Sequence, residues 1–247
     1  YIAFVTSRGQ VIVYTGTERD VGNAQTWAEF NEHYRFIVEE MFRVTKPGRL
    51  SCVHVMQYPL NLVNHGISGL YDLRGDVIRL HTEAGWAYQA DVTVDKNPQA
   101  QATRAKVQKL LFVTLKRDAS KTAPALADYL LVFRKPGDND EPIVAPIDNE
   151  TWINWARPVW ETDGVRIPTD DNGLILPADC WLDIRETKTL NERIARDEPD
   201  ERHCCPLQLD LIERCIKLWS NKDDLVLSPF AGIGSEGYMA IKMGRKF

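Results

Sequence analysis

Asp224-Leu-Val-Leu-Ser-Pro-Phe-Ala-Gly-Ile-Gly-Ser-Glu-Gly-Tyr-Met-Ala-Ile-Lys-Met-Gly-Arg-Lys-Phe247 reads as a strand, a glycine turn and a helix. Leu225, Val226 and Leu227 form a short apolar run between polar neighbours. Pro229 to Gly234 then punctuate the chain before an amphipathic stretch containing Tyr238, Met239, Ile241 and Met243. Gly232 and Gly234 carry no Cβ, so the main chain can turn sharply there and a ligand can approach it at the positive end of the following helix. Such a turn suits a nucleotide-type ligand, and it equally suits a plain strand-to-helix connection. No Gly-Lys-Ser/Thr follows, which excludes a P-loop.

Directly upstream lies His203-Cys-Cys-Pro-Leu-Gln-Leu-Asp-Leu-Ile-Glu-Arg-Cys-Ile-Lys-Leu-Trp-Ser220. Together the two segments resemble the S-adenosylmethionine-dependent DNA amino-methyltransferases of bacterial or phage type, which methylate adenine N6 or cytosine N4. In that family a His-Pro-x-Gln-like opening leads a helix, a strand follows, and an Asp/Ser-Pro-Phe-x-Gly-x-Gly turn holds the cofactor. The resemblance implies S-adenosyl-L-methionine held by Pro206, Gln208, Ser228, Pro229, Phe230, Ala231, Gly232 and Gly234. Leu209 stands where the family has a basic residue, and the family's ribose-binding acid would fall after Phe247.

At the other end, Tyr1-Ile-Ala-Phe-Val-Thr-Ser7 is a β-rich run expected to form a buried strand, and Val11 to Tyr14 a second short run. Trp27, Phe30, Tyr34, Ile37, Val38, Met41 and Phe42 recur at helical spacing between Thr26 and Thr45. Thr26 with Glu29 has the capping-box form, and Lys46-Pro47-Gly48 is a stop signal. A strand is expected over Arg49 to Tyr58, a helix over Asp72 to His81, and strands over Ala87 to Lys96 and Ala127 to Lys135. This order, with Arg43-Val-Thr-Lys-Pro-Gly48 before the strand, is also the family's. The family strand usually ends in Trp-x-Lys; here Val94 replaces the Trp ahead of Lys96.

The resemblance implies an α/β fold, a mostly parallel twisted sheet flanked by helices in the Rossmann-like methyltransferase manner, with an inserted variable region. Residues 1–135 would be the catalytic half and 201–247 the cofactor half. Residues 136–200, with sixteen acidic and six basic side chains, would be an insertion. The family carries part of its target-recognition region at that place. Its Trp152, Trp155, Trp160 and Trp181 equally suit a small satellite core.

With 247 residues and 44% hydrophobic content the chain can bury one substantial core. No apolar run reaches the ~20 residues of a membrane span and no signal peptide is visible, so a cytoplasmic protein is expected. Five cysteines without a C-x-x-C pair fit a reducing compartment, and no metal site is expected, Cys204-Cys205 beside His203 lacking zinc-site spacing. The net charge of −5 is unevenly spread. Arg104, Lys106, Lys109, Lys116, Arg117 and Lys121 face only Asp118, a charge of +5 over 18 residues. That density suits a phosphate backbone, and it also suits a solvated helix face.

An exocyclic base amine is a poor nucleophile because its lone pair is delocalised into the ring. Hydrogen-bond acceptors that bend the nitrogen toward tetrahedral geometry overcome this. In the family they are a Ser, Asp or Asn side chain and a prolyl carbonyl of a Ser/Asp-Pro-Pro-aromatic loop, whose ring stacks on a flipped base. The resemblance makes Ser7 the catalytic residue, double-stranded DNA with a flipped base the partner, and restriction-modification the setting. Arg8-Gly9-Gln10 stand where the Pro-Pro-aromatic loop would be. Either a mobile loop belongs between Ser7 and Arg8, or the chain is a catalytically inactive DNA-binding or scaffolding relative. Intact Gly232 and Gly234 favour the first.

Overall fold

The computed structural model describes residues 4–5, 11–12, 24, 26–96, 98, 101–102, 108–160, 184–185, 188–190, 206–230 and 232–247. In chain order the elements are β1 (Phe4–Val5), β2 (Val11–Ile12), α1 (Trp27–Val44), β3 (Leu50–Met56), β4 (Tyr58–Leu60), α2 (Leu62–His65) and β5 (Gly69–Tyr71). There follow α3 (Leu73–Glu83), β6 (Ala87–Val94), α4 (Phe112–Arg117), β7 (Asp128–Arg134), α5 (Asn149–Trp155), β8 (Val159–Trp160), α6 (Leu209–Trp219) and α7 (Ser235–Lys242). Among the described residues no helix is long and apolar enough to cross a membrane.

Helix α1 starts and stops where its sequence signals lie. The Thr26 side chain accepts a hydrogen bond from the Glu29 amide at 3.1 Å, and Phe30, Tyr34 and Val38 form the buried stripe. The chain then turns through Gly48 at φ 73°, where a Cβ would lie 2.7 Å from Asn139. Glycine is therefore required on two counts, and its amide donates to the Lys135 carbonyl at 2.9 Å. This places β3 alongside β7. Helix α3 is capped by Asp72, whose side chain accepts from the Gly75 amide.

The central sheet has the order β3-β7-β6-β8. β3 and β7 are antiparallel from Leu50↔Arg134 to Met56↔Asp128, β6 and β7 are antiparallel, and β6 and β8 are parallel. Helices flank it, as the α/β reading requires. The ladders are mixed rather than mostly parallel among the described residues, because the connection 95–127 leaves β6 and enters β7 at one and the same edge. The run Leu225–Leu227, expected as a strand, makes only an isolated parallel bridge from Leu225 to Lys246 beyond this sheet, because among the described residues no strand pairs along it and Leu225 and Leu227 are exposed. Phe4–Val5, the described part of the first expected strand, pairs with Val11–Ile12 in a separate two-stranded sheet. Ser7 and Arg8 lie outside the described residues.

Alternation along β7 divides the core. Leu131 and Phe133 pack with Tyr34, Val38, Val77, Leu80 and Trp86 under α1 and α3. Leu130 packs on the other face with Val92, Val94, Trp160, Ile184, Leu211 and Leu218. Trp160, 1% exposed, is the register partner of Val94. An indole thus enters beside the position where the family carries its own. The guanidinium of Arg214 on α6 lies 4.6 Å from the Trp155 ring and 4.3 Å from the Trp160 ring, fastening residues 149–160 to α6. Asp210 accepts from Arg185 at 2.7 Å and Lys188 at 2.5 Å. Burial raises its carboxyl, but these cations outweigh it and hold it well below the usual carboxylate range.

His81 gives the fold a pH dependence. Its ring stacks on Phe133 at 4.0 Å between centroids, and its Nδ1–H donates to the Val77 carbonyl at 2.8 Å. Burial pushes its pKa from 6.5 down to about 4, against the Val77 carbonyl, which raises it. Between these values the unfolded chain binds the extra proton and the folded chain does not, so stability falls as pH falls through that window, by at most ~1.4 kcal/mol per pH unit from this group. In urea denaturation at several pH values, His81→Phe is expected to flatten the decline between pH 6.5 and 4.

Candidate functional site

The C-terminal ends of β3 and β6 and the start of β7 share one edge of the sheet, because β7 runs against both neighbours. The glycine turn reaches the same edge through Glu236, whose electrostatics register His54 on β3. Ser228 opens that turn, its Oγ accepting from the Phe230 amide at 3.4 Å. The Phe230 ring stacks on Tyr34 at 6.2 Å with a 19° interplanar angle, tying the turn to α1. Gly232 and Gly234 have φ of 51° and 82°, in the left-handed region that favours glycine. Gly234 is the N-cap of α7, and a Cβ there would meet nothing within 4 Å. The turn therefore has both the open approach and the positive helix end that a bound ligand needs. Ser235, the first residue of α7, is 3% exposed with an Oγ lacking a hydrogen-bond partner among the described residues.

Pro206 and Gln208 are half-buried at the start of α6, and the Gln208 side chain makes no cap hydrogen bond. Between them, Leu207 joins the cluster of Leu209, Ile212, Ile216, Met239, Ala240 and Val226. One apolar cluster thus brings together the Pro206–Gln208 segment, Val226 ahead of the glycine turn and helix α7 after it. Gly237 lets the Phe247 ring pack against α7, since a Cβ there would lie 2.8 Å from that ring. Ala231 lies outside the described residues.

Three side chains not singled out as site residues from the sequence converge beside the turn. His54 Nε2 lies 2.8 Å from Asp128 Oδ2, and Lys96 Nζ lies 2.7 Å from the same oxygen. Burial raises the Asp128 carboxyl, but His54 and Lys96 outweigh it and the net shift is downward. Across from them, burial raises the Glu236 carboxyl above its ordinary value, opposed by its own amide and by His54. The available signal was Lys96 at the end of its strand; pairing it with His54 and Asp128 needed the register of three strands. Trp27 adds an aromatic wall where β3 ends, stacked on Tyr71 at 3.7 Å and edge-on to Tyr58 at 4.9 Å.

The basic run occupies the connection from β6 to β7 and so belongs to this edge. Lys116, Arg117 and Lys121 are exposed and Lys109 is half-buried, in short 3-10 turns and α4 rather than one long helix. Lys116 lies over the Phe112 ring at 5.2 Å, and Lys121 pairs with Asp118 at 3.3 Å. Arg104 and Lys106 lie outside the described residues.

A family model described as DNA methylase matches residues 10–247. Among solved structures the chain is similar to TTHA0409 of Thermus thermophilus, described as a DNA modification methylase and solved in complex with S-adenosyl-L-methionine. The TM-score is 0.61 at 19% identity, over 89% of this chain and 70% of that one. It is also similar to the PvuII DNA methyltransferase, which is cytosine-N4-specific, with a TM-score of 0.56 at 13% identity over 93% of this chain and 68% of that one. No curated protein matches significantly in sequence.

Because the space around Gly234 is open, the cost of a side chain there is conformational. Gly234→Val is expected to destabilise the protein by about 1–2 kcal/mol, the penalty of a left-handed conformation for an L residue. Denaturant unfolding of the two proteins measures it.

Proposed function

The chain belongs to the DNA methylase family whose model spans residues 10–247, and from that membership we propose how its own residues methylate DNA. The enzyme transfers a methyl group to an exocyclic amino group of a DNA base, cytosine N4 or adenine N6. S-adenosyl-L-methionine supplies the activated methyl group. The match across residues 10–247, with the glycine turn intact at its core, carries this reading and disfavours an inactive relative.

The cofactor is held by the turn from Ser228 to Gly234, including Ala231, with Pro206 and Gln208 beside it. The fit rests on the left-handed Gly232 and Gly234 and on the open space at Gly234. The positive end of α7 and the amides it leaves unpaired favour an anionic group there. Ser7 accepts a hydrogen bond from the target amine and bends its nitrogen toward attack. The target base reaches it flipped from the duplex. Catalysis then consists of positioning and electrostatics. Arg104, Lys106, Lys109, Lys116, Arg117 and Lys121 hold backbone phosphates, and residues 136–200 read the target sequence. In this reading the enzyme works in the cytoplasm on double-stranded DNA, as a modification enzyme of the restriction-modification kind.

Two measurements test the assignment. Calorimetry should show S-adenosyl-L-methionine binding by the wild-type chain and its loss in Gly232→Val, where a β-branched side chain would enter the approach path at positive φ. Unchanged affinity would remove the turn from the cofactor site. DNA affinity should fall steeply with salt, and neutralising Lys109, Lys116 and Arg117 together should reduce the log–log slope by about 0.9 per lost phosphate contact. An unchanged slope would place the phosphates elsewhere.

A further inference from the structure

Methyl transfer to an amine leaves a proton to be disposed of. The product nitrogen carries the methyl group, two hydrogens and a positive charge, and a neutral methylamino group forms only when one N–H bond breaks. Hydroxyl and carbonyl acceptors can orient the amine, but a backbone carbonyl does not take up a proton at neutral pH. We propose that His54 is the proton acceptor of the reaction, held in its working orientation by Asp128. The proposal deepens the amino-methylation reading and rests on it.

Geometry carries the assignment. His54 lies two residues from the end of β3, on the edge where the glycine turn and the basic connection meet. A carboxylate only accepts, so the 2.8 Å contact fixes the Nε2–H tautomer and leaves a lone pair on Nδ1. Asp128 is thus a positioning residue, as the carboxylate is in a Ser-His-Asp triad. Its side chain is 7% exposed and already neutralised by Lys96, whereas the imidazole is 27% exposed. Asp128 is therefore enclosed and fixed, while the ring it holds remains accessible. In the step, the departing N–H leaves its electron pair on the base nitrogen and the proton forms a new bond to Nδ1, from which it passes to water. The titratable groups facing the imidazole among the described residues are Asp128 on β7, Lys96 after β6 and Glu236 on α7. Glu236 lies in the first turn of the helix that the glycine turn opens, so a carboxyl group faces the imidazole from that side.

The test is a single-turnover measurement of methyl transfer from radiolabelled cofactor to unmethylated DNA of mixed sequence, as a function of pH. His54→Gln keeps an amide that can donate to Asp128 but cannot accept the proton. It should be slower by about 100-fold, the lower range for a lost general base, and should lack the acid limb of the wild-type profile. Its calorimetric Kd for the cofactor and its Tm should match wild type, which a merely structural role would not allow. Wild-type rate and acid limb in His54→Gln would overturn the proposal alone, whereas no transfer by the wild-type chain would overturn the methylation reading and the proposal with it. Should His54→Gln fail to fold, NMR titration of wild-type His54 decides. Its ionisation, assigned by replacing the other histidines in turn, must coincide with the acid limb, and a different midpoint overturns the proposal.

Discussion

Leu130 and Leu131 point to opposite faces of β7 and both are buried, so this strand is stable only when helices cover the sheet on both sides. Each such side chain contributes ~1.5–3 kcal/mol when fully buried. One face is closed by α1 and α3, the other by α6 with Trp160 and Ile184. Because α1 and α3 precede β7 in the chain and α6 follows it, the strand joins the two halves through its core. The Arg49–Asp224 ion pair at 2.9 Å joins them a second time, at the opposite edge.

The antiparallel setting of β7 also decides where chemistry can collect. A strand entering from the edge at which its neighbours end brings Asp128 opposite Met56 and Val94, within reach of His54 and Lys96. The same reversal returns the basic connection to this edge. Removing Asp128 would leave the Lys96 ammonium without its counter-charge and the His54 ring N–H without its acceptor in a partly desolvated place, so its burial is sustained by its partners and theirs by it. Trp160 and Arg214 show a similar exchange in the apolar part, an indole from β8 entering the core beside the small Val94 and a guanidinium closing over it.

Much of this was legible in the residues, since local rules act within a few positions. Helix α1 begins at its Thr26 cap and ends before Pro47, as its spacing predicts, and the glycine turn leads into α7 as its two glycines require. The strands over Leu50–Met56, Ala87–Val94 and Asp128–Arg134 fall inside the runs expected for them. The basic run was visible as charge, but its division into short turns was not, because a polar segment with few periodic apolar residues carries little information about its backbone.

By itself the sequence determined the α/β class, the glycine turn at Gly232 and Gly234 leading into a helix, and through its motifs the family, because period, capping and glycine placement are properties of neighbouring residues. Only the tertiary structure decided that the central ladders are antiparallel, that Trp160 lies beside Val94, and that His54, Lys96 and Asp128 meet. Those outcomes depend on which strands pair and in which register, and a contact between positions 54 and 128 leaves no mark on the spacing within either segment.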